Sequence, residues 1–379
     1  MKTIDNLNVK DKRVLVRIDL NSALGGKKIV ENLRFREHAK TINELKRQGA
    51  VVVILAHQGR PGKKNFISLK QHARIFSKYS KVKFVDDVAG RKAVAAIHRL
   101  KSGEALLLEN VRFLKDEFSS NGGKFVKTLT PLFDYFVSDC FSNMHRNHAS
   151  MVGFAKRLPS AVGPVALREL KALDKIKSRV GGALFVLGGN KPRDVVLLVG
   201  KGCVLTTGTL SLLALKARGY KLGKEDVMLK NDLSVVRDLR KNLRRVVVPC
   251  DLAVSVGGKR KEISVDELPT KYEILDIGSR TVKDYAREIR KARVIFFKGV
   301  AGLSQKKGFE VGTRELLRAI SKARGFSVVA GGSSSNAVGK FKINKKGFNH
   351  ISLSGGALVH YLAGKRLAGL EVLKNNRKL

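Results

Sequence analysis

A run of five apolar residues, Val51-Val52-Val53-Ile54-Leu55, lies between Gly49 and Gly59. It is far too short to cross a membrane and has no polar–apolar alternation, so protein must cover both of its faces. Four of its five residues are β-branched, and the run reads as a buried strand of a parallel sheet. Similar stretches recur at 14–18, 105–108 and 135–139, with segments of helical spacing between them, such as Ala39, Ile42 and Leu45 on one face. Further helices are expected at 69–76 and 93–100, with a strand at 82–84. This alternation belongs to parallel βαβ units covered on both faces.

The pattern breaks around Leu158-Pro159-Ser160-Ala161-Val162-Gly163-Pro164. Pro164 can open a helix at its first turn, running through Leu170 to about Ile176. A second alternating series follows, with strands expected at 183–187, 203–205, 246–248, 294–297 and 327–330. Its helices carry Leu210, Leu213, Ala214 and Ala217 on one face, and Tyr285, Ile289 and Ala292 on another. A chain of 379 residues can bury two cores. The expected fold is therefore α/β, two Rossmann-like parallel-sheet domains (1–163 and 179–357) joined by an interdomain hinge helix at 164–178.

Charge separates the function classes. The chain has 75 Lys+Arg against 32 Asp+Glu, a formal net charge of +43, which concentrates polyanions of any kind around it. The basic residues are spread along the whole length, with no zinc-finger spacing and no arginine-rich block. Aromatic residues are only 6%, with no Trp, so a single-strand stacking platform lacks its material. Non-specific nucleic-acid binding at low salt is expected, and a dedicated nucleic-acid partner is not. No apolar run approaches the roughly 20 residues of a spanning helix, and no apolar signal core follows Met1-Lys2-Thr3-Ile4-Asp5, so a cytoplasmic location is expected. Cys140, Cys203 and Cys250 have no metal-ligand spacing and are expected to be buried, reduced thiols.

His57 and Arg60 follow the run at 51–55, in the loop at the strand's carboxyl end, where open α/β sheets hold ligands. Alone they would be solvated loop residues. The arrangement repeats, however: Asp19, Asn21, Arg34, His57, Arg60, Arg112, His145, Arg146 and His148 all lie at or near strand ends of the first half. Parallel strands bring those ends to one edge, giving a basic basket suited to a phosphate and a carboxylate through bidentate arginine contacts. In the second half there is no GxxxxGK[ST] and no GxGxxG. The strand at 183–187 ends instead in Gly188-Gly189-Asn190-Lys191-Pro192. A glycine pair, a lysine and a helix start can approach phosphates through backbone N–H groups; a tight turn with an exposed lysine fits those residues as well.

Four ordered stretches resemble phosphoglycerate kinase, most closely its archaeal type: Val16-Arg17-Ile18-Asp19-Leu20-Asn21, His57-Gln58-Gly59-Arg60-Pro61-Gly62, Leu108-Glu109-Asn110-Val111-Arg112-Phe113, and Asp139-Cys140-Phe141 leading to His145-Arg146-Asn147-His148-Ala149-Ser150. The resemblance implies that 1–163 binds 3-phosphoglycerate through Asp19, Asn21, Arg34, His57, Gln58, Gly59, Arg60, Arg112, His145 and Arg146. It implies that 179–357 binds the nucleotide through Gly188, Gly189, Lys191, Gly302, Gln305, Gly331, Gly332, Ser333 and Ser334. Arg34 and Lys191 would be catalytic, and residues 358–379 would return to the N-terminal domain. ATP or ADP with Mg2+ and 3-phosphoglycerate or 1,3-bisphosphoglycerate are the implied partners, in a monomer or homodimer that closes about its hinge; no protein ligand for a metal is expected.

Departures from the family pattern gather in the second half. Lys298-Gly299-Val300-Ala301-Gly302-Leu303-Ser304-Gln305 stands where the family typically has Asn-Gly-Pro-x-Gly-x-Phe-Glu. Ser333 stands where many members carry aspartate, Val195 where many have a second lysine, and Leu353-Ser354-Gly355-Gly356 where Thr-Gly-Gly-Gly is usual. The implied reaction is reversible phosphoryl transfer between 1,3-bisphosphoglycerate and ADP. A catalytically weakened phosphoglycerate-binding homologue is the alternative, and a basic α/β protein that binds nucleic acid ranks third.

Overall fold

Every residue of the strand Val51–Leu55 is buried, because the strand lies inside a six-stranded sheet. In the computed structural model, which describes residues 1–376, the order is Lys83–Phe84, Ala105–Leu107, Val51–Leu55, Arg13–Arg17, Tyr135–Ser138, Ser160–Val162. All of these pairings are parallel. The helix Leu33–Arg47 turns Phe35, Ala39, Ile42 and Leu45 onto Val14, Val16, Val52 and Ile54 in one core. Asn32 caps that helix by accepting the Arg34 N–H at 3.0 Å, which fixes Arg34 in the first turn. Arg13–Arg17 is the first strand of the sheet in the chain, and later strands are added on both of its sides. The strand order therefore reverses beside it, and a ligand crevice is expected at its carboxyl end.

The second sheet has the order Val246–Val247, Cys203–Thr206, Leu184–Leu187, Val294–Lys298, Phe326–Ala330, His350–Ser352, again parallel throughout. Its reversal falls between Leu184–Leu187 and Val294–Lys298. Beside it is a three-stranded antiparallel sheet, Lys259–Ser264, Asp251–Val256 and Glu273–Ile277, which the sequence pattern did not predict. Lys259–Ser264 is polar and mostly exposed, so it lacks a core-facing stripe. The turn at Gly257 and Gly258, both with positive φ, was the available hairpin signal.

Two compact units result: Met1–Lys171 together with the chain from Arg366, and Ala172–Lys365. The division falls within the helix Pro164–Lys177. The chain rejoins the first unit later than the 358 expected, because the helix Gly356–Leu362 buries Ala357, Leu358 and Val359 and packs on Pro192–Val195 in the second unit. The helix Ala368–Lys374 then docks on the first, with the Gly369 N–H donating to the Met144 carbonyl at 2.9 Å. All three thiols are free, but only Cys140 is buried; Cys250 is half-buried, and Cys203 is exposed as the first residue of its strand.

Candidate active site

In the first unit, the loops after Arg13–Arg17, Val51–Leu55, Ala105–Leu107 and Tyr135–Ser138 bring the predicted residues to one edge. Asp19 is central and almost fully buried. Its carboxylate lies 3.1 Å from the Arg34 Nε and accepts from the Ser142 hydroxyl at 2.6 Å and the Asn21 N–H at 3.0 Å. Although burial opposes ionisation, the Arg34 guanidinium and these donors hold its pKa far below the usual carboxylate range. Asn21 ties two loops together, its side-chain oxygen accepting the Gly59 N–H at 2.9 Å and its carbonyl accepting from Arg34.

His57 is buried and receives an N–H from Arg17 on its Nδ1 at 2.9 Å. Burial and the charges of Arg17 and Arg112 push its pKa well below the ordinary value. It is thus a neutral imidazole with Nδ1 as acceptor, which leaves its Nε2–H to donate. Arg112 donates to the Gly59 carbonyl, and burial with the nearby Arg17 and Arg146 lowers its pKa to about 10. Burial and Arg60 lower that of Arg146. The Nε atoms of Arg112 and Arg146 are buried without a hydrogen-bond partner among the described residues. Arg60 is exposed and His145 half-buried on the same edge. Guanidiniums packed closely enough to oppose one another's charge, with donors still open, form a site that gains stability when an anion enters.

Gln58 has a different place from the one the sequence suggested. Its carboxamide is fully buried and taken up internally: it accepts from the Ser22 N–H at 2.8 Å and faces His72 Nε2 at 3.0 Å, and it donates to the carbonyls of Ser22 and Asn65. It therefore braces the loop that presents His57. Sequence reasoning missed the support beneath. Arg17, 1% exposed, donates to the Ser150 hydroxyl at 2.9 Å, and Ser150 donates to the buried Glu117 at 2.8 Å. A charged residue ending an apolar strand was the signal for Arg17. Ser150 closes the family-like stretch, but nothing local tied it to Arg17, and Glu117 carried no signal.

At the second edge the glycines sort into two kinds. The N–H groups of Gly188 and Gly189 donate to the carbonyls of Lys298 and Val300, both at 2.8 Å. They are therefore closed to a phosphate, contrary to the expectation. Backbone packing is what these glycines serve: a Cβ on Gly299 would run into the Gly188 carbonyl, and one on Gly188 into Thr207. Gly302 similarly leaves room for Asp276, and the buried Ser334 hydroxyl accepts the Gly299 N–H at 2.9 Å. By contrast, a Cβ on Gly331 or Gly332 would meet nothing within 4 Å. These two residues start the helix Gly332–Lys340 with open space before it, and Ser333 is exposed there. Lys191 is exposed just before Pro192–Val195, Gln305 is exposed, and Val195 is buried. Ser333 offers a neutral hydroxyl, a weak donor to a hard dication. Such a donor set fits a magnesium ion that arrives on the nucleotide's phosphates and keeps several of its waters.

Comparison with known proteins gives the same assignment along the whole chain. The phosphoglycerate kinase family model matches residues 4–365. The phosphoglycerate kinase of Methanothermobacter thermautotrophicus is 40% identical over 401 aligned positions, spanning 99% of this chain and 97% of that protein. That of Archaeoglobus fulgidus is 36% identical, spanning 99% and 96%. Among solved structures, the phosphoglycerate kinase from Pyrococcus horikoshii OT3 aligns over the full length of both chains with a TM-score of 0.93 and 33% identity. The Coxiella burnetii enzyme aligns over 98% of each with 0.81 and 30%. The chain belongs to the phosphoglycerate kinase family.

Proposed function

We propose that the carboxyl edge of the first sheet binds 3-phosphoglycerate through Arg34, Arg60, Arg112, Arg146 and the His57 Nε2–H, with Asp19 and Asn21 orienting Arg34. The second edge binds ATP or ADP through Lys191, the Gly331–Ser333 start of its helix, and Gln305. The activity is the family's: reversible phosphoryl transfer from 1,3-bisphosphoglycerate to ADP, giving 3-phosphoglycerate and ATP, with the carboxyl group of 3-phosphoglycerate as the acceptor in the reverse direction. The observation that carries the substrate assignment is the set of mutually opposed, partly unsatisfied guanidiniums around Asp19 and His57.

In the ATP-consuming direction the nucleophile is a carboxylate. With a pKa of about 4 it is ionised at neutral pH and needs no general base. Catalysis then rests on alignment and on charge stabilisation of the moving phosphoryl group, which is the work assigned to Arg34 and Lys191. Neutral His57 is a donor here, not a proton acceptor. Magnesium, when bound with the nucleotide, neutralises part of its phosphate charge. No helix among the described residues is long and apolar enough to cross a membrane, and the reading places the enzyme in the cytoplasm. The relatives that match across the full length carry the kinase name, which supports an active enzyme over a weakened binding homologue.

The test is ATP consumption in a coupled assay with magnesium. Turnover should depend strictly on 3-phosphoglycerate. Absence of turnover across several metals and salt concentrations, with 3-phosphoglycerate still bound, would replace this reading with the binding homologue.

A further inference from the structure

Lys298 ends the strand Val294–Lys298, pairing with Leu187 on one side and Ala330 on the other. It therefore stands at the reversal point of the second sheet, between the loop that carries Lys191 and the loop that starts at Gly331. Its own backbone is pinned: the carbonyl accepts the Gly188 N–H at 2.8 Å, and the next residue, Gly299, has φ +93° and donates to Ser334. The side chain is half-buried. It feels Asp194, which favours its charge, and Lys191, which opposes it, and burial is the main force lowering its pKa. Among the described residues its ammonium makes no hydrogen bond or ion pair. A half-buried ammonium beside a second lysine, with one carboxylate for both, costs stability unless an anion joins it.

We propose that Lys298 is a second phosphate-contacting lysine of the nucleotide site, sharing the anionic chain with Lys191 and selecting nucleotides that carry a di- or triphosphate. The inference rests on the reading of this edge as the nucleotide site. With Val195 buried and Ser333 neutral, Lys298 supplies charge from a strand end, on a backbone that the three interlocked loops hold fixed. A surface lysine of the same sequence position would instead extend into water and bind nothing.

Calorimetric titration with AMP, ADP and ATP, on the wild type, Lys298→Met and Lys298→Arg, separates the possibilities. Methionine keeps most of the stem and removes the charge. The loss of one charge-assisted contact should weaken ADP and ATP by about 10- to 100-fold, AMP by less than about 3-fold, and leave 3-phosphoglycerate binding unchanged. Arginine should restore part of the ADP affinity. Thermal stability of the unliganded Lys298→Met protein should be equal or higher, since an unpaired, half-buried charge is gone. If the wild type binds ADP and the methionine variant binds it equally well, the inference fails while the nucleotide assignment stands. Equal loss for AMP and ADP would also overturn it, making Lys298 a loop-positioning residue. Should the wild type bind no adenine nucleotide, the assignment of the edge itself falls, and the inference with it.

Discussion

The two carboxyl edges, both proposed to hold anions, are made of different materials. In the first unit the edge is made of side chains: burial and neighbouring charges shift Asp19, His57, Arg112 and Arg146 from their ordinary pKa values. In the second the frame that carries its few side chains is backbone, with Gly188, Gly189 and Gly299 locking the loops and Gly331 and Gly332 leaving space. An edge of side chains depends on individual charges and should lose function residue by residue. An edge of backbone depends on the absence of atoms and should lose structure when atoms are added.

The sharpest way to break this contrast is Arg34→Ala. Arg34 is held by Asp19 and the Asn21 carbonyl, so its removal deletes a positioned charge without opening the core. We expect kcat to fall by about 10³-fold, roughly 4 kcal/mol of transition-state stabilisation, with a smaller loss of stability because the buried Asp19 carboxylate is left without its ion pair. Arg34→Lys should recover only part of it, since an ammonium lacks the fork. A kcat within a few-fold of wild type would show that the first edge does not work through single charges.

The complementary change is Gly299→Ala. Its φ of +93° and the Gly188 carbonyl in the path of a Cβ predict a cost of about 3 kcal/mol from strain and overpacking. Hydrogen exchange should place that loss in peptides covering 184–191 and 294–302, with 3-phosphoglycerate binding by the first unit retained. Gly331→Ala is the control. It has a similar φ, +91°, but open space at the Cβ, so it should cost about 1–2 kcal/mol and act mainly by weakening ATP. Equal destabilisation by both would remove the distinction between locking and open glycines.

The same contrast explains what could be read from the sequence. Residues such as Arg112 and Arg146 announce their chemistry by type, and their place at the ends of short apolar runs put them on one edge. The two parallel sheets followed from those runs for the same reason. What the residues could not convey was direction. Gln58 looked like a ligand-binding amide, yet all its bonds run inward to Ser22, Asn65 and His72. Gly188-Gly189 looked like a phosphate cradle, yet its N–H groups meet the carbonyls of Lys298 and Val300, at a strand end and its following loop more than a hundred residues away. Ser150 and Glu117, which support Arg17, are neighbours only in space. Long-range partners decide such cases, and no local pattern encodes them.

Acid distinguishes the units by the net of two opposed effects. His72, buried against Gln58 in the first unit, has its pKa lowered to about 4 by burial. Unfolded, it binds a proton near its ordinary value of about 6.5, so between about pH 6.5 and 4 the unfolded state holds more protons and stability falls with pH. At pH 4.5 this unit should have lost ~2 to 3 kcal/mol relative to pH 7 through His72. Asp276 in the second unit has the opposite sign. Burial pushes it up to about 6, against the pull of the Gly312 N–H and Arg260. Its folded form therefore holds the proton more tightly than the unfolded chain, and acid should return ~2 kcal/mol to this unit over the same interval. Hydrogen exchange at pH 7 and 4.5, corrected for intrinsic rates, should show peptides around 51–76 losing protection relative to those around 274–312. His72→Gln should flatten the first response and Asp276→Asn the second. Parallel loss in both units, untouched by either substitution, would mean that acid acts through the net charge of the whole chain rather than through these two buried groups.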